Sequence, residues 1–142
     1  MSDVVGAELA GGWYLVVSND EGLAFTDDEI VSSLSALGEV ITCFVEEHVM
    51  CSFAAAWKGG VRVWSILHDS SEGLNHLDTQ GDLPPGFPAI RDELVAKQTT
   101  GDCDYIFDVP VEVARSLVGY RHDRDIPGQT GEVFEILAPA LA

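Results

Sequence analysis

A β-hairpin signal in the middle of the chain constrains the fold more than any other sequence feature. Two runs rich in strand-forming residues, Met50 to Trp57 and Val61 to His68, flank Lys58-Gly59-Gly60. Glycine adopts the positive φ angles that a tight two-residue hairpin turn requires. If Gly59 and Gly60 form the turn, the continued register pairs Lys58 with Val61, Trp57 with Arg62, Phe53 with Ile66, and Cys51 with His68.

The remaining patterns indicate short strands and helices in separate blocks. Strand-forming runs occupy residues 13–17, 40–45 and 105–107. Helical patterns follow the capping box Thr26-Asp27-Asp28-Glu29 and the turn Pro84-Pro85-Gly86, and a third runs from Pro110 to a stop at Gly119. The arrangement predicts an α+β fold, with a mostly antiparallel sheet of about four strands and two to three helices packed on it.

Each helical pattern contains an apolar stripe that predicts the face turned toward the sheet. The first stripe is Ile30, Val31, Leu34 and Leu37, the second is Phe87, Ile90, Leu94 and Val95, and the third is Val113, Ala114 and Leu117. In the hairpin, three successive alanines at 54–56 make a flat patch on which a helix can pack closely.

The length of 142 residues predicts a single α+β domain, 1–142. Residues 1–12 are predicted to be a loose lead-in, and residues 126–142 a C-terminal tail or edge strand. The amino terminus lacks the regions of a signal peptide, and no apolar stretch approaches the roughly 20 residues of a membrane span. Three cysteines without a CxxC motif are typical of reduced thiols, so the expected location is the cytoplasm.

Negative charge dominates the composition. The segment Met1 to Trp57 holds ten carboxylates and no lysine or arginine, and the chain has a net charge of −17. Phosphate backbones and anionic lipids repel such a chain, which argues against nucleic acid and membranes as partners. A basic protein remains as a partner, and an acidic composition bias is the alternative explanation of the charge. Arg121 and Arg124 interleave with Asp123 and Asp125, which predicts local surface ion pairs.

The expected strand order gathers acidic side chains at one end of the sheet. The strand after the turn at 46–49 runs away from that turn, and its hairpin partner returns to it. If the first helix is a crossover between parallel strands, residues 19–21 join the same end. The predicted partner-binding rim consists of Asp20, Glu21, Glu46, Glu47, Asp69 and Glu72.

The same end of the sheet suggests an alternative site for a divalent metal. Histidine and carboxylate groups are ligands of ions such as Zn²⁺ and Mn²⁺. The candidate ligands are Glu47, His48, His68 and Asp69. Their spacing matches no HExxH or CxxC motif, so the first expectation is a protein without a cofactor.

A catalytic reading depends on Cys51 and His68, which the continued hairpin register places opposite each other. An adjacent imidazole can activate a thiol as a nucleophile. Asp69 points to the other face of the strand and does not orient that imidazole. The sequence has no phosphate-binding loop, dinucleotide fingerprint or nucleophile elbow, so no catalytic residue is assigned.

Four short segments occur in a characteristic order between Val63 and Asp123, and the resemblance that they carry covers about Trp13 to Asp123. They are VWSILHD at 63–69, GDLPP at 81–85, DYIFDVP at 104–110 and GYRHD at 119–123. In that order they resemble a set of small, acidic bacterial proteins without an assigned activity, some of which look like immunity proteins for secreted toxins. The resemblance implies a bacterial cytoplasmic α+β protein and carries over no catalytic residue.

Three functions follow as hypotheses. The first is a non-enzymatic, immunity-like binding module whose acidic rim docks a basic protein. The second is a metal-binding protein or small metal-dependent hydrolase using Zn²⁺ or Mn²⁺. The third is a structural homo-oligomer, a homodimer included, in which Val133 to Leu137 adds a strand to a neighbouring copy.

Overall fold

The computed structural model describes residues 4–9, 11–18, 28–46, 48–73, 75–98, 105–121 and 135–136. Its strands are β1 (Val4–Glu8), β2 (Tyr14–Ser18), β3 (Val40–Glu46), β4 (Cys51–Lys58), β5 (Val61–Asp69), β6 (Asp78–Gly81) and β7 (Glu135–Ile136). Its α-helices are α1 (Asp28–Ser35), α2 (Phe87–Gln98) and α3 (Asp108–Val118), and a 3-10 turn spans Ser70–Glu72. Within the described ranges, none of these helices has both the length and the apolar character needed to cross a membrane.

The strands form two antiparallel sheets. The larger has the order β3-β4-β5-β6, and the smaller has the order β2-β1-β7. The helices pack on the larger sheet, so the α+β prediction is confirmed. The two strands that flank α1 lie in different sheets, so the condition considered from the sequence, a crossover between parallel strands, is not met. Residues 19–21, which that crossover would have placed, lie outside the described residues.

The hairpin forms at the predicted turn, but its register changes within two residues of it. Lys58 pairs with Val61 and Trp57 with Arg62, as predicted, whereas Ala56 pairs with Trp64. Val63 is therefore an extra residue in β5, a β-bulge. Beyond it, each residue of β4 pairs one position further along β5 than predicted. The predicted pairs Phe53–Ile66 and Cys51–His68 are wrong: Phe53 faces Leu67, and Cys51 faces Asp69.

The bulge is held in place by the strand on its other side. The N–H of Asp82 donates to the carbonyl of Val63 at 3.0 Å. Gly81 pairs with Trp64 and has a φ of 81°, and a Cβ built on Gly81 would lie 2.0 Å from the Val63 oxygen. Only a glycine permits this close approach, so Gly81 helps to fix the bulge and with it the register between β4 and β5.

The main core lies between the larger sheet and the pair α2 and α3. It contains alternate residues of the hairpin together with residues of both helices: Ala54, Ala56, Trp64, Ile66, Phe87, Leu94, Val109, Val113 and Ala114. The predicted stripes of α2 and α3 are confirmed for Phe87, Leu94, Val113 and Ala114. Their last members, Val95 and Leu117, are exposed instead.

The segment predicted as a strand at 105–107 is a turn that leads into α3. The N–H groups of Asp108 and Val109 donate to the carbonyls of Tyr105 and Ile106, each at 3.0 Å. From the sheet, the buried Ser52 hydroxyl donates to the Phe107 carbonyl at 2.7 Å. This bond ties the start of α3 to β4, an inner strand of the sheet, close to its Cys51 end. The helix ends as predicted, at Gly119 with a φ of 82°.

Helix α1 packs on the opposite face of the sheet, with a different side inward from the one predicted. Its buried residues are Val31 and Ser35, whereas Ile30, Leu34 and Leu37 are 42%, 45% and 90% exposed. The predicted apolar stripe is therefore wrong except for Val31, which packs near Ala55 and Trp57. The capping box proposed for this helix falls partly on residues 26 and 27, outside the described residues.

Hydroxyl groups explain the orientation of α1. The Ser32 hydroxyl donates to the carbonyl of Gly60 at 2.6 Å, and the N–H of Gly60 donates to the Ser35 hydroxyl at 2.9 Å. The N–H of Gly59 donates to the carbonyl of Ser35 at 3.0 Å. The helix thus satisfies the backbone of the hairpin turn, and its serine side must face inward.

The smaller sheet includes residues predicted to be a loose lead-in. Val4–Glu8 forms the central strand of that sheet, so this part of the prediction is wrong. Ala7 and Leu9 make a small cluster with residues that include Val118 and Tyr120, which places the sheet against the end of α3. At the carboxyl end, Glu135–Ile136 pairs with β1 of the same chain. Addition of a strand to a neighbouring copy stays a prediction.

Candidate functional site

Three strands align an acidic row at one end of the larger sheet. Glu46 of β3 pairs with Cys51 of β4, which in turn pairs with Asp69 of β5. Residues directly opposite one another project from the same face, and adjacent strands lie about 4.8 Å apart. We call Glu46, Cys51 and Asp69 the acidic row. Glu72 is exposed in the 3-10 turn that follows β5.

The acidic row includes two members of the predicted rim, Glu46 and Asp69, and Glu72 follows three residues later. The other three, Asp20, Glu21 and Glu47, lie outside the described residues. The prediction relied on the direction of the strands at this end of the sheet. The register error does not affect this placement, because the bulge moves each pairing by one position and does not change which end each residue occupies. Partner binding at the rim stays a prediction.

The thiol of Cys51 reports on the electrostatics of the acidic row. Burial raises the pKa of Cys51, and the negative charges of Asp69 and Glu46 raise it further. Both carboxylates therefore lie close enough to the Cys51 thiol to change its pKa. A thiol with a raised pKa is protonated at neutral pH and is a poor nucleophile, which argues for a packing role of Cys51.

The turn that follows Asp69 stabilises the ionised form of its carboxylate. Its Oδ1 accepts hydrogen bonds from the Ser71 N–H at 3.0 Å and from the Ser71 hydroxyl at 2.7 Å. These two bonds lower the pKa of Asp69, with smaller contributions from His76 and His68. Both bonds end on Oδ1, so Oδ2 keeps its capacity to accept a hydrogen bond from a partner.

His68 lies away from the acidic row. It pairs with Ser52, is fully buried on the face covered by α2 and α3, and its Nδ1 lies 2.7 Å from the carbonyl oxygen of His76. Its ring meets that of Phe107 edge-on, with the centroids 6.4 Å apart. His68 therefore points away from Cys51, and the thiol–imidazole pair considered from the sequence does not form.

The structure does not bring the predicted metal ligands to one place. His68 and Asp69 are consecutive in a strand and project from opposite faces. His48 is exposed in the turn before β4, where its N–H donates to Glu46 Oε1 at 3.1 Å. Among the described residues, no group of three or more histidine, cysteine or acidic side chains is arranged to hold a metal ion. Glu47 lies outside them, so metal binding stays a prediction.

A second polar feature is a cleft between α2 and α3 with a volume of about 200 Å³. At its edge, Arg121 donates to Asp108 Oδ1 at 3.0 Å and to Glu112 Oε1 at 2.5 Å, and its side chain is only 11% exposed. The cleft is smaller than the roughly 300 Å³ at which small-molecule sites begin. Arg121 lines the cleft and ties the segment after α3 back onto the helix.

Sequence reasoning missed the partners of Arg121. It expected pairs with neighbouring aspartates at 123 and 125, which lie outside the described residues. A usable signal was present, because Asp108 and Glu112 are four residues apart and a helix puts such residues on one face. This spacing does not identify Arg121 as the partner, because the neighbouring sequence does not show that the chain folds back after Gly119.

The basic side chains that the structure describes lie away from the acidic row or are paired. Within the described part of the chain, the ion pairs involve Arg91, Lys97, Arg115 and Arg121, all on the helical layer or directly after it. The basic residues of the larger sheet, Lys58 and Arg62, lie near the hairpin turn. The length of β4, from Cys51 to Lys58, is roughly 23 Å, well beyond the Debye length of about 8 Å at physiological salt.

Comparisons with known proteins provide no relative from which a role could be transferred. Neither the protein-family models, nor the curated proteins, nor the solved structures contain a match to this chain. The functional assignment therefore depends on the geometry and charge of the acidic row and its surroundings.

Proposed function

We propose that this protein is a non-enzymatic binding module that docks a basic partner protein through the acidic end of its larger sheet. The observation that carries the proposal is the alignment of Glu46 and Asp69 on either side of Cys51. It places two carboxylates in one row, in a chain whose net charge is −17. Glu72 extends the negative surface into the following turn.

Electrostatic attraction is the physical basis of the proposed interaction. A negative surface of this kind attracts a basic protein and raises its association rate by about 10- to 1,000-fold, an effect that salt weakens. Asp69 suits this role because its carboxylate is charged at neutral pH, Ser71 fixes the position of its Oδ1, and its Oδ2 can accept a hydrogen bond from lysine or arginine.

Two features support binding over catalysis. The raised pKa of Cys51 keeps its thiol protonated, and His68 projects from the other face of the sheet. The cleft between α2 and α3 is small, and its arginine already pairs with two carboxylates. A binding role needs none of the activated groups that a catalyst requires.

The resemblance to immunity-like bacterial proteins suggests the class of partner. We infer a toxin domain of basic character, which this protein would neutralise in the bacterial cytoplasm by covering it. A close structural fit would then add to the long-range attraction, because charge complementarity sets the association rate and the orientation more than the final affinity.

The test is affinity capture with a charge-matched control. The wild-type protein, a rim variant (Glu46→Gln, Asp69→Asn, Glu72→Gln) and a control variant (Glu8→Gln, Asp82→Asn, Asp92→Asn) are immobilised and exposed to cell lysate. The control removes the same number of carboxylates from exposed positions elsewhere. Capture is compared at low salt and at about 150 mM salt.

We expect a single basic protein to be retained at both salt concentrations by the wild type and by the control variant, and to be lost from the rim variant. Equal loss from both variants would show that only total charge matters and would contradict the proposed site. Retention of nothing but a scatter of cationic proteins that elute at 150 mM salt would contradict the proposed function.

A further inference from the structure

An apolar row lies next to the acidic row on the same face of the sheet. Phe44 of β3 pairs with Phe53 of β4, which pairs with Leu67 of β5. Each of the three lies two positions along its strand from a member of the acidic row, so the two rows share a face. We call Phe44, Phe53 and Leu67 the apolar row. All three are half-buried.

The described elements cover only part of this face. Helix α1 packs at the hairpin end, where Val31 contacts the cluster of Ala55 and Trp57, and Phe53 lies at the edge of that cluster. Phe44 and Leu67 belong to none of the apolar clusters formed by the described residues. The apolar row therefore extends beyond the area on which α1 packs.

Carboxylates border the apolar row on two sides. Glu46 and Asp69 lie along its outer edge, and Asp78 of β6 pairs with Leu67. The first turn of α1, which packs on the same face, adds the exposed Asp28 and Glu29 to the negative charge there. The basic residues of this sheet lie near the hairpin turn instead.

This charge pattern selects the kind of occupant. A second copy of the chain would bring another −17 charges and the same acidic border, and like charges in contact are unfavourable. A segment that carries apolar side chains between lysines or arginines matches both the row and its border. Its apolar part would hold at salt concentrations that screen the charged part.

We infer that the apolar row is the anchoring surface for an apolar ridge flanked by basic residues in a protein partner. The inference rests on the proposed function, and adds to it the location of the contact and the chemistry of the segment that binds. A rim of charge around a buried apolar centre is the usual organisation of a specific protein interface.

The experiment uses two synthetic peptides of equal length and equal lysine content. In the first, phenylalanine and leucine alternate with lysine, and in the second serine replaces every apolar residue. Binding of each to the full-length protein is measured by fluorescence anisotropy at about 150 mM and about 500 mM salt. The variants are Leu67→Thr and Phe44→Thr, and threonine is a good strand former.

Val95→Thr is the matched control, because Val95 is an exposed apolar residue on α2, in the other layer. We expect the apolar peptide to bind the wild type and the control at least about tenfold more tightly than the serine peptide at 150 mM salt. In Leu67→Thr and Phe44→Thr that ratio should fall toward one. Thermal unfolding of each variant checks that it is folded. If one of the two does not fold, the other is sufficient for the comparison.

Equal binding of the two peptides to the wild type, or an unchanged ratio in both row variants, would overturn the inference. If the serine peptide nevertheless binds and the rim variant abolishes that binding, the proposed function stands without the apolar anchor. If Leu67→Thr changes the mass of the free protein in sedimentation, the occupant is a second copy and the inference is wrong.

Discussion

The anchoring of α1 by serine hydroxyls gives a quantitative prediction for Ser35→Ala. The Ser35 hydroxyl is buried, donates to the Ser32 carbonyl at 2.8 Å and accepts from the N–H of Gly60 at 2.9 Å. Removing the oxygen leaves that N–H without its acceptor at a position where α1 meets the turn. The substitution therefore tests whether hydroxyl groups, rather than the exposed leucines, fix this helix.

The expected loss of stability combines two opposing effects. An amide N–H left without a partner costs about 1–3 kcal/mol. Alanine has a higher helix propensity than serine, which returns about 0.5 kcal/mol. We therefore expect the free energy of unfolding to fall by about 0.5–2.5 kcal/mol in Ser35→Ala.

Ser33→Ala provides the matched control. Ser33 is exposed in the same helix, and its hydroxyl donates only to the Glu29 carbonyl at 3.0 Å. The control has the same propensity gain without an orphaned donor, so its stability should be unchanged or higher by about 0.5 kcal/mol. Urea unfolding followed by tryptophan fluorescence measures both variants, because Trp57 and Trp64 are buried and lose that environment on unfolding.

Equal free energies of unfolding for Ser35→Ala and Ser33→Ala would refute the reasoning. A changed slope against urea in Ser35→Ala alone would show that α1 detaches before the rest of the protein unfolds, and the midpoint would then understate the effect. A loss of stability with an unchanged slope is the outcome that the hydrogen bonds predict.

Two further predictions concern the larger sheet. Gly81→Ala should lower the free energy of unfolding by about 2 kcal/mol or more, because its Cβ would meet the Val63 carbonyl, whereas Gly86→Ala, where a Cβ meets open space, should not. Equal unfolding midpoints in urea would contradict this. The raised pKa of Cys51 means that its alkylation, measured with the other cysteines replaced by serine, should accelerate only at a pH above the ordinary thiol range. Asp69→Asn removes a repelling charge, so it should lower that pKa and move the rate profile to lower pH, and an unmoved profile would count against the acidic row.

Local chemistry made part of the fold predictable. Glycine at 59 and 60 specifies the hairpin turn because positive φ angles are available to it without strain, and Gly119 ends α3 for the same reason. Pro88 lies in the first turn of α2, where its missing N–H costs nothing. Such signals depend on a few consecutive residues, and tertiary packing did not override them.

Long-range contacts decided the features that were predicted wrongly. The extra residue at Val63 depends on the close approach of Gly81 and on the hydrogen bond from Asp82, both distant in sequence. Helix α1 turns its serines inward because Gly60 offers them backbone partners, and the apolar pattern of the helix contains no trace of that turn.

The candidate site also has features that the sequence determines and features that only the tertiary structure decides. The sequence by itself determined the charge of the protein and the end of the sheet to which Glu46 and Asp69 belong, since both follow from composition and strand direction. Only the tertiary structure decided that Asp69, and not His68, lies beside Cys51, and that Phe44, Phe53 and Leu67 align as a row. The physical reason is that strand side chains alternate between faces, so one bulged residue exchanges the inward and outward sets along the rest of the strand.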